Sequence, residues 1–126
     1  EFRRVLFRSA ALIAEIALHS PPRPHLKPIG DLRLMSRWVE DNLSVSLRAF
    51  ADLDLVMAES VIRERGYIDD VYDQVLRRLF TYIASEPPLL RYAQKPMAVA
   101  QALQHAGDHV VDIAELTVIM LRAGVR

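Results

Sequence analysis

The spacing of apolar residues in the last third of the chain most constrains its fold. From residue 99 to residue 120, seam positions recur at alternating intervals of four and three. They are Val99, Leu103, Ala106, Val110, Ile113, Thr117 and Met120. An α-helix turns by about 100° per residue, so this pattern draws one continuous stripe along a helix. Because such a stripe has to be covered by neighbouring helices, it predicts the buried seam of a helical bundle.

Two earlier segments carry the same helical spacing. The first predicted helix is capped by Asp31. Its seam positions are Leu32, Met35, Val39, Leu43, Ser46, Phe50 and Leu53, with Ser46 the weak position. The second predicted segment begins at a cap formed by Asp52 or Asp54, and Gly66 is a candidate kink within it. Its seam positions are Met57, Val61, Glu64, Ile68, Val71, Val75, Leu79 and Ile83.

Clusters of proline separate the predicted helices. The first cluster, within residues 21–28, follows a short alanine-rich helix end at residues 10–18. The second lies at residues 87–88, where proline again interrupts the helical pattern. The last helix is expected from about residue 88 to residue 123, with Gly124 as its C-terminal cap.

The three long helices define the expected fold class. Pro96 lies inside the last helix and predicts a bend there or a later helix start. No segment alternates apolar and polar residues strongly enough at period two to suggest a sheet. We therefore expect an all-α protein, an antiparallel three-helix bundle preceded by a short helix remnant.

The composition is that of one soluble globular domain. The chain has 126 residues, of which 52% are hydrophobic and 25% charged. Its 16 basic and 16 acidic residues give no net charge and no nucleic-acid footprint. The absence of cysteine excludes disulfides, thiolate metal sites and cysteine nucleophiles, and is compatible with the cytoplasm. The apolar runs are far shorter than the ~20 residues that cross a bilayer.

The first nine residues have a separate origin in our interpretation. The stretch EFRRVLFRS at residues 1–9 resembles the translation of a common short-read sequencing adapter. We interpret it as a sequencing artefact, so reasoning about the fold begins at Ala10. An adapter fused in frame to coding sequence also implies that the natural protein begins upstream of this chain.

Acidic side chains at helical spacing lie on the opposite side of the last helix from its seam. Asp108 and Asp112 are four residues apart, with Glu115 about one turn further on, and hard cations favour such oxygen clusters. A second acidic turn precedes this helix, at Asp69, Asp70 and Asp73. Arginines lie nearby in the sequence. An acidic turn of this kind is more often a solvated surface on which the charges balance. The residues alone therefore leave both a metal site and a solvated face open.

A catalytic role is not indicated by the polar residues. No serine, histidine and aspartate arrangement with a nucleophile motif is present, so we expect no enzyme and no catalytic residue. Trp38 is expected in the core. Glu64, on a seam, is expected either to pair with an arginine or to contact a neighbouring repeat or subunit.

One motif resembles a known family. Residues 107–115 read GDHVVDIAE and are similar to the Gly-Asp-His-Ala-x-Asn-Ile-Ala-Glu signature of PhoU, a family of phosphate-signalling regulators. The tripeptide IAE at residues 13–15 recurs at residues 113–115. The family is built from two three-helix repeats. The resemblance therefore implies that residues 10–28 are the end of a first repeat and a proline-rich linker, and that residues 29–126 are the second repeat.

The resemblance implies a metal site. PhoU-like proteins bind metal ions on the bundle surface through acids at this spacing, which implies divalent or iron-type ions here. Carried over by position, the ligands are Asp108, Asp112, Glu115 and Asp69. The chain departs from the family pattern at Arg65, which replaces an acid, and at Gln104 and His105, which replace a Glu-Arg pair.

The resemblance also implies a function. It implies a cytoplasmic, homodimeric adaptor in phosphate homeostasis that binds no nucleic acid and reaches the membrane only through its partners. Those partners are the ATPase subunit of the phosphate ABC transporter and a phosphate sensor histidine kinase. The adaptor would be a negative regulator of the phosphate-starvation response. Two alternatives stay open: a metal-binding helical bundle, and a PhoU-like domain of a sodium/phosphate cotransporter or phosphate-permease accessory protein.

Overall fold

A computed structural model describes residues 28–124 of the protein as a helical bundle. Its helices are α1 (Pro28–Asp52), α2 (Leu55–Arg63), α3 (Gly66–Ser85) and α4 (Leu90–Arg122), with a 3₁₀ turn at Pro87–Leu89. No strand occurs within these residues, so the expected all-α class is confirmed. The expectations for residues 1–9 and 10–27 lie outside the described residues. None of the described helices is long and apolar enough to cross a membrane.

The direction of the helices follows from the side-chain pairs that join them. Asp31 near the start of α1 meets Arg78 near the end of α3, whereas Trp38 further along α1 meets Glu64. The partner number falls as the position on α1 rises, so α3 runs antiparallel to α1. Together, α2 and α3 form the middle leg of an antiparallel three-helix bundle, and α4 is the third leg.

A tight turn joins α1 to α2. Leu53 adopts a positive φ of 50°, and the Asp54 backbone N–H donates to the Ala49 carbonyl oxygen at 2.9 Å. The Asp54 side chain then accepts a hydrogen bond from the Met57 N–H at 3.1 Å and caps α2. Of the two caps that the sequence offered, Asp54 is therefore the one used.

Loss of this cap should weaken the bundle measurably. Replacing Asp54 by alanine leaves the Met57 N–H without its side-chain acceptor, which costs about 1 kcal/mol at a typical N-cap. The midpoint of thermal unfolding should fall by about 4–8 °C in a domain of this size. Asp52→Ala is the matched control, because Asp52 is exposed and caps nothing in α2. Equal midpoints for the two variants would contradict the assignment of the cap.

The prediction that Asp31 caps the first helix is wrong. The helix begins at Pro28, so Asp31 lies within its first turn. Its buried carboxylate accepts a hydrogen bond from the Arg78 guanidinium at 2.8 Å. Proline suits the start of a helix because it lacks the N–H that would go unpaired there. Asp31 is therefore free of a capping role, and its ion pair with Arg78 links α1 to α3.

The expected kink at Gly66 is a complete break between two helices. α2 ends at Arg63 and α3 begins at Gly66. Glu64, expected on the buried seam, falls in this break and is exposed, where it accepts a hydrogen bond from Trp38 Nε1 at 3.2 Å. Trp38 itself is buried as expected, and its ring stacks on Tyr67 with centroids 6.3 Å apart.

The core confirms most of the seam predicted for α4. Val99, Leu103, Ala106, Val110, Ile113 and Thr117 are all buried. Ser46, the weak position of the first seam, is fully buried, and its hydroxyl donates to the Val110 carbonyl oxygen at 3.0 Å. Phe50 was predicted on the same seam but is 39% exposed, with Ala49 buried in its place. A helix of 3.6 residues per turn drifts from a strict pattern of threes and fours, which shifts the buried stripe by one residue.

The end of α4 also matches the sequence. Gly124 has a positive φ of 79°, and its N–H donates to the Leu121 carbonyl oxygen. Glycine adopts this conformation without the steric cost that a side chain brings. The helix continues through Pro96 in a single element.

Candidate functional site

The acids singled out in the sequence lie on two neighbouring helices. Asp69 is in the first turn of α3, and Asp108, Asp112 and Glu115 follow one another along α4. We call these four residues the acidic patch. All of them are exposed or half-buried, so their carboxylates reach solvent.

A glycine brings the two helices of the patch close together. A Cβ atom placed on Gly107 would lie 3.2 Å from both Cγ1 and Cγ2 of Ile68. This is closer than side chains usually pack, so the contact depends on the missing side chain at residue 107. Asp69 and Asp108 each follow one of these two residues in the sequence. The close contact of α3 with α4 thus places the two carboxylates within electrostatic reach of each other.

Gln104 forms a hydrogen bond with Asp69. Its amide Nε2 donates to Asp69 Oδ1 at 3.0 Å and links α4 to α3. Gln104 stands at a position where the resemblance expected an acid. A neutral donor there gives Asp69 a hydrogen-bond partner and removes one negative charge from the patch.

The pKa of Asp108 is raised above its ordinary value. Partial burial of the carboxylate is the largest cause, and the negative charge of Asp69 is the next. Asp112 raises it further, while His105 and His109 act in the opposite direction. Burial and like charges both disfavour the ionised form of a carboxyl group.

This shift predicts a dependence of stability on pH. Folded Asp108 holds its proton to a higher pH than it does in the unfolded chain, where the ordinary value is 3.8. Its contribution to stability is therefore greatest at low pH and falls as the pH rises through that interval. Asp108→Asn should raise the free energy of unfolding slightly at pH 7, because solvent screens most of the repulsion. Denaturant titrations should show this gain disappearing below pH 3.8.

An exposed acid on α3 provides the control. Asp73→Asn removes the same charge away from the pair, and should not reproduce the gain. In Asp69→Asn protein, the pKa of Asp108, followed by carboxyl NMR, should move down toward its ordinary value. A variant Asp108→Asn that is less stable than the parent at neutral pH would contradict the assignment of the shift.

The remaining acids of the patch have other partners. Glu115 lies 3.7 Å from the Arg65 guanidinium, and both side chains are largely exposed. The Asp112 carboxylate lies 3.8 Å from His109 Nδ1, one turn earlier on the same helix. The structure therefore brings Asp69 and Asp108 together and pairs Glu115 with a cation.

The arrangement of these four acids does not by itself define a metal site. Within residues 28–124, no group of three or more histidine, cysteine or acidic side chains could hold a metal ion. Metal binding by Asp69, Asp108, Asp112 and Glu115 stays a prediction. The best pair for it is Asp69 with Asp108, because the negative charge of Asp69 acts on the Asp108 carboxylate.

Two contributors to the patch were missed in the sequence. Gln104 was identified only as a departure from an expected acid, although its amide is what satisfies Asp69. Gly107 was identified as part of a motif, although its physical role is to let Ile68 approach. A glycine in the interior of a long apolar helix pattern is the signal that could have indicated this contact, because glycine there costs about 1 kcal/mol without some packing reason.

The sequence matches one protein-family model. The model, described as the PhoU domain, matches residues 32–117. This range includes most of α1, all of α2 and α3, and α4 as far as Thr117. The match therefore covers α3 and α4, which carry the acidic patch, together with most of α1.

Curated relatives and a solved structure are also similar. A "Phosphate-specific transport system accessory protein PhoU homolog" from Deinococcus radiodurans is 35% identical over 82% of this chain and 48% of the relative. A homolog from Methanothermobacter thermautotrophicus is 32% identical over 114 residues, 89% of this chain and 52% of the relative. The crystal structure of PhoU from Pseudomonas aeruginosa superposes with a TM-score of 0.79 at 26% identity, covering 92% of this chain and 56% of that one. The chain thus spans about half the length of the relatives it matches.

Proposed function

The chain belongs to the PhoU domain family, and from this membership we propose that it is a regulatory adaptor in phosphate homeostasis. The observation that carries the proposal is the family match over residues 32–117, together with relatives that are named as accessory proteins of phosphate-specific transport. The proposed mechanism is binding without turnover of a substrate. Amphipathic helices suit this role, because their ridges and grooves accept partner helices.

The partners that we propose are two proteins of phosphate uptake and sensing. One is the ATPase subunit of the phosphate ABC transporter, and the other is the phosphate sensor histidine kinase. Through them the protein would act in the cytoplasm, as a homodimer, as a negative regulator of the phosphate-starvation response. The names of the relatives support the link to transport.

Co-purification tests the adaptor mechanism. The intact coding sequence that contains this chain is expressed with tagged transporter ATPase subunit or tagged sensor kinase. We expect the protein to be retained by both partners, and Val56→Asp protein, altered at an exposed site of α2, to be retained equally. Val110→Asp protein, altered in the core, should be lost. A folded parent protein that neither partner retains would contradict the proposal.

Metal binding is a second candidate, supported by the mutual repulsion of Asp69 and Asp108. A cation between these carboxylates would relieve that repulsion. Protein equilibrated with iron or manganese and then desalted should carry the ion, and the double variant Asp108→Ala with Asp112→Ala should lose it. Asp73→Ala, an exposed acid elsewhere on α3, is the control. Equal metal content in all three proteins would reject this candidate.

A further inference from the structure

We propose that a basic pocket on α3 binds a phosphoryl group, either as inorganic phosphate or as part of a phosphate ester. We call it the arginine pocket. The side chains that line it are Arg77, Arg78, Thr81 and Tyr82, in the C-terminal half of α3. The proposal rests on the charge and geometry of these residues and does not depend on the proposed regulatory function.

The spacing of the pocket residues places them on one side of α3. Thr81 follows Arg77 by four residues, and Tyr82 follows Arg78 by four, so each pair consists of neighbours along the helix surface. Arg77 and Arg78 are separated by about 100° around the helix axis. Because both line the same cavity, they border it on different sides. An anion in the pocket would therefore lie between two cations.

The two arginines differ in what they contact. Arg78 Nη1 donates to Asp31 Oδ2 at 2.8 Å, which fixes the Arg78 side chain against α1. The contact uses one of five guanidinium donors, and the Arg78 side chain stays 52% exposed, so other donors remain accessible. Arg77 is exposed and forms no ion pair with an acid of residues 28–124. With two cations and one carboxylate, the pocket keeps a net positive charge.

The two hydroxyl groups of the pocket have different roles. Thr81 Oγ1 donates to the Arg77 carbonyl oxygen at 2.8 Å, so its proton is already used within the helix. The half-buried Tyr82 carries a phenolic O–H, which is a donor that an oxyanion can accept. The donors offered to a ligand are therefore the two guanidinium groups and the tyrosine hydroxyl.

This set of donors suits a tetrahedral anion with several oxygens. A guanidinium group is a planar fork that binds two oxygens of a phosphate, and a phosphate has further oxygens for a second guanidinium and a hydroxyl. A carboxylate has only two oxygens, which a single fork satisfies. The cavity has a volume of about 370 Å³, near the lower end for ligand pockets, so it fits a small ligand. The pocket therefore favours a phosphoryl group.

Contacts between helices divide the bundle across its axis into two ends. Trp38 of α1 stacks on Tyr67 of α3, and Asp69 of α3 accepts a hydrogen bond from Gln104 of α4. Since α3 runs antiparallel to its two neighbours, the start of α1, the end of α3 and the start of α4 lie together. The arginine pocket is at this end, which we call the pocket end.

The pocket end is more basic than the rest of the bundle. It comprises residues 28–38 and 70–103, which contain six basic and four acidic side chains. Residues 39–69 and 104–124 form the other end and contain four basic and ten acidic side chains. The summed field of a protein guides charged ligands toward the surface of opposite sign. A diffusing anion is therefore attracted to the pocket end and repelled from the acidic patch.

Side-chain NMR tests the pocket directly. In the full 126-residue chain, the Nε–Hε signals of Arg77 and Arg78 are followed while inorganic phosphate is added at low salt. We expect both signals to shift along one saturating curve in the millimolar range. Sodium chloride at the same ionic strength should not reproduce the shifts, although it screens exposed charges equally.

Arg77→Gln is the variant that separates a site from a diffuse charge. It removes an exposed guanidinium that has no ion pair within residues 28–124, so the helical circular dichroism should be unchanged. The dissociation constant for phosphate, measured on the Arg78 signal, should rise about tenfold, because a charge-assisted hydrogen bond is lost. Arg91→Gln is the matched control. It removes the same charge from an exposed site of the pocket end outside the pocket, and should leave the dissociation constant within about twofold.

Vesicles distinguish a free phosphate from a lipid headgroup. Phosphatidylcholine vesicles that contain phosphatidic acid present the same group from a membrane. If they retain the parent protein and release Arg77→Gln protein, while inorganic phosphate causes no shift, the phosphoryl group belongs to a lipid. Equal weakening by Arg77→Gln and Arg91→Gln would overturn the proposal, since attraction to the pocket end would then be diffuse. Absence of both phosphate shifts and Arg77-dependent vesicle binding would also overturn it.

Discussion

Replacing Val110 by aspartate should abolish the cooperative folding of the bundle. Val110 is completely buried in α4, where α1 and α4 touch. An uncompensated charge at such a site costs several kcal/mol, in addition to the apolar contacts that are lost. Domains of this size are stable by only about 5–15 kcal/mol. Circular dichroism should show loss of helix at 25 °C, or a thermal midpoint far below that of the parent.

The same exchange at an exposed site is the matched control. Val56 is 74% exposed in the first turn of α2. An aspartate there interacts favourably with the helix dipole, so the free energy of unfolding should change by less than about 0.5 kcal/mol. If Val110→Asp and Val56→Asp unfolded at the same thermal midpoint, Val110 would not be buried where α1 packs against α4, and this description of the core would be contradicted.

Replacing Gly107 by leucine should cost about 3 kcal/mol. A Cβ atom at residue 107 would already lie 3.2 Å from Ile68, tighter than side chains usually pack, so the further atoms of a leucine side chain would push α3 away from α4. Overpacking of this kind typically costs about 1–3 kcal/mol, and here the helix backbones must also separate. Urea titration of the parent and variant proteins measures the difference in the free energy of unfolding.

Gly66 provides the control for this exchange. No atom lies within 4 Å of a Cβ placed on Gly66, so Gly66→Leu should be tolerated. Adding Ile68→Ala to Gly107→Leu should recover part of the loss, because it removes the atoms that clash. If Gly107→Leu were no more harmful than Gly66→Leu, the close contact would not exist, and the approach of Asp69 to Asp108 would have no structural cause.

The fold was predictable because its main signal is long and regular. The α4 stripe from Val99 to Thr117 keeps helical spacing over five turns, and all of its predicted positions up to Thr117 are buried. The caps at Asp54 and Gly124 were predictable from residue type, since each residue satisfies a local backbone need. Local signals of this kind depend little on tertiary contacts.

The errors arose where a tertiary contact overrides local preference. Asp31 has the chemistry of a cap, but an arginine 47 residues away recruits it into an ion pair. Glu64 fits the seam by spacing, but the helix ends at Arg63 and a new helix begins at Gly66, so the helical register changes there. A single helical period assumed across residues 57–83 could not reveal this break, although Gly66 indicated its position.

The acidic patch was predictable only in part. The spacing of Asp108 and Asp112 follows from one helix, and was readable from the sequence. The proximity of Asp69 depends on how closely α3 approaches α4, which is fixed by Gly107 and Ile68. The pairing of Arg65 with Glu115 likewise requires the mutual placement of the α2–α3 turn and α4, which are distant in sequence.

The central claim of phosphate regulation is tested most directly by one measurement in cells. The intact coding sequence that contains this chain is placed in a bacterium that lacks its own PhoU, and alkaline phosphatase is assayed in phosphate-rich medium. We predict low phosphatase activity, because an adaptor of this family would restore repression. Persistently high activity, with stable expression of the folded protein, would contradict the claim and favour a domain associated with another phosphate transporter.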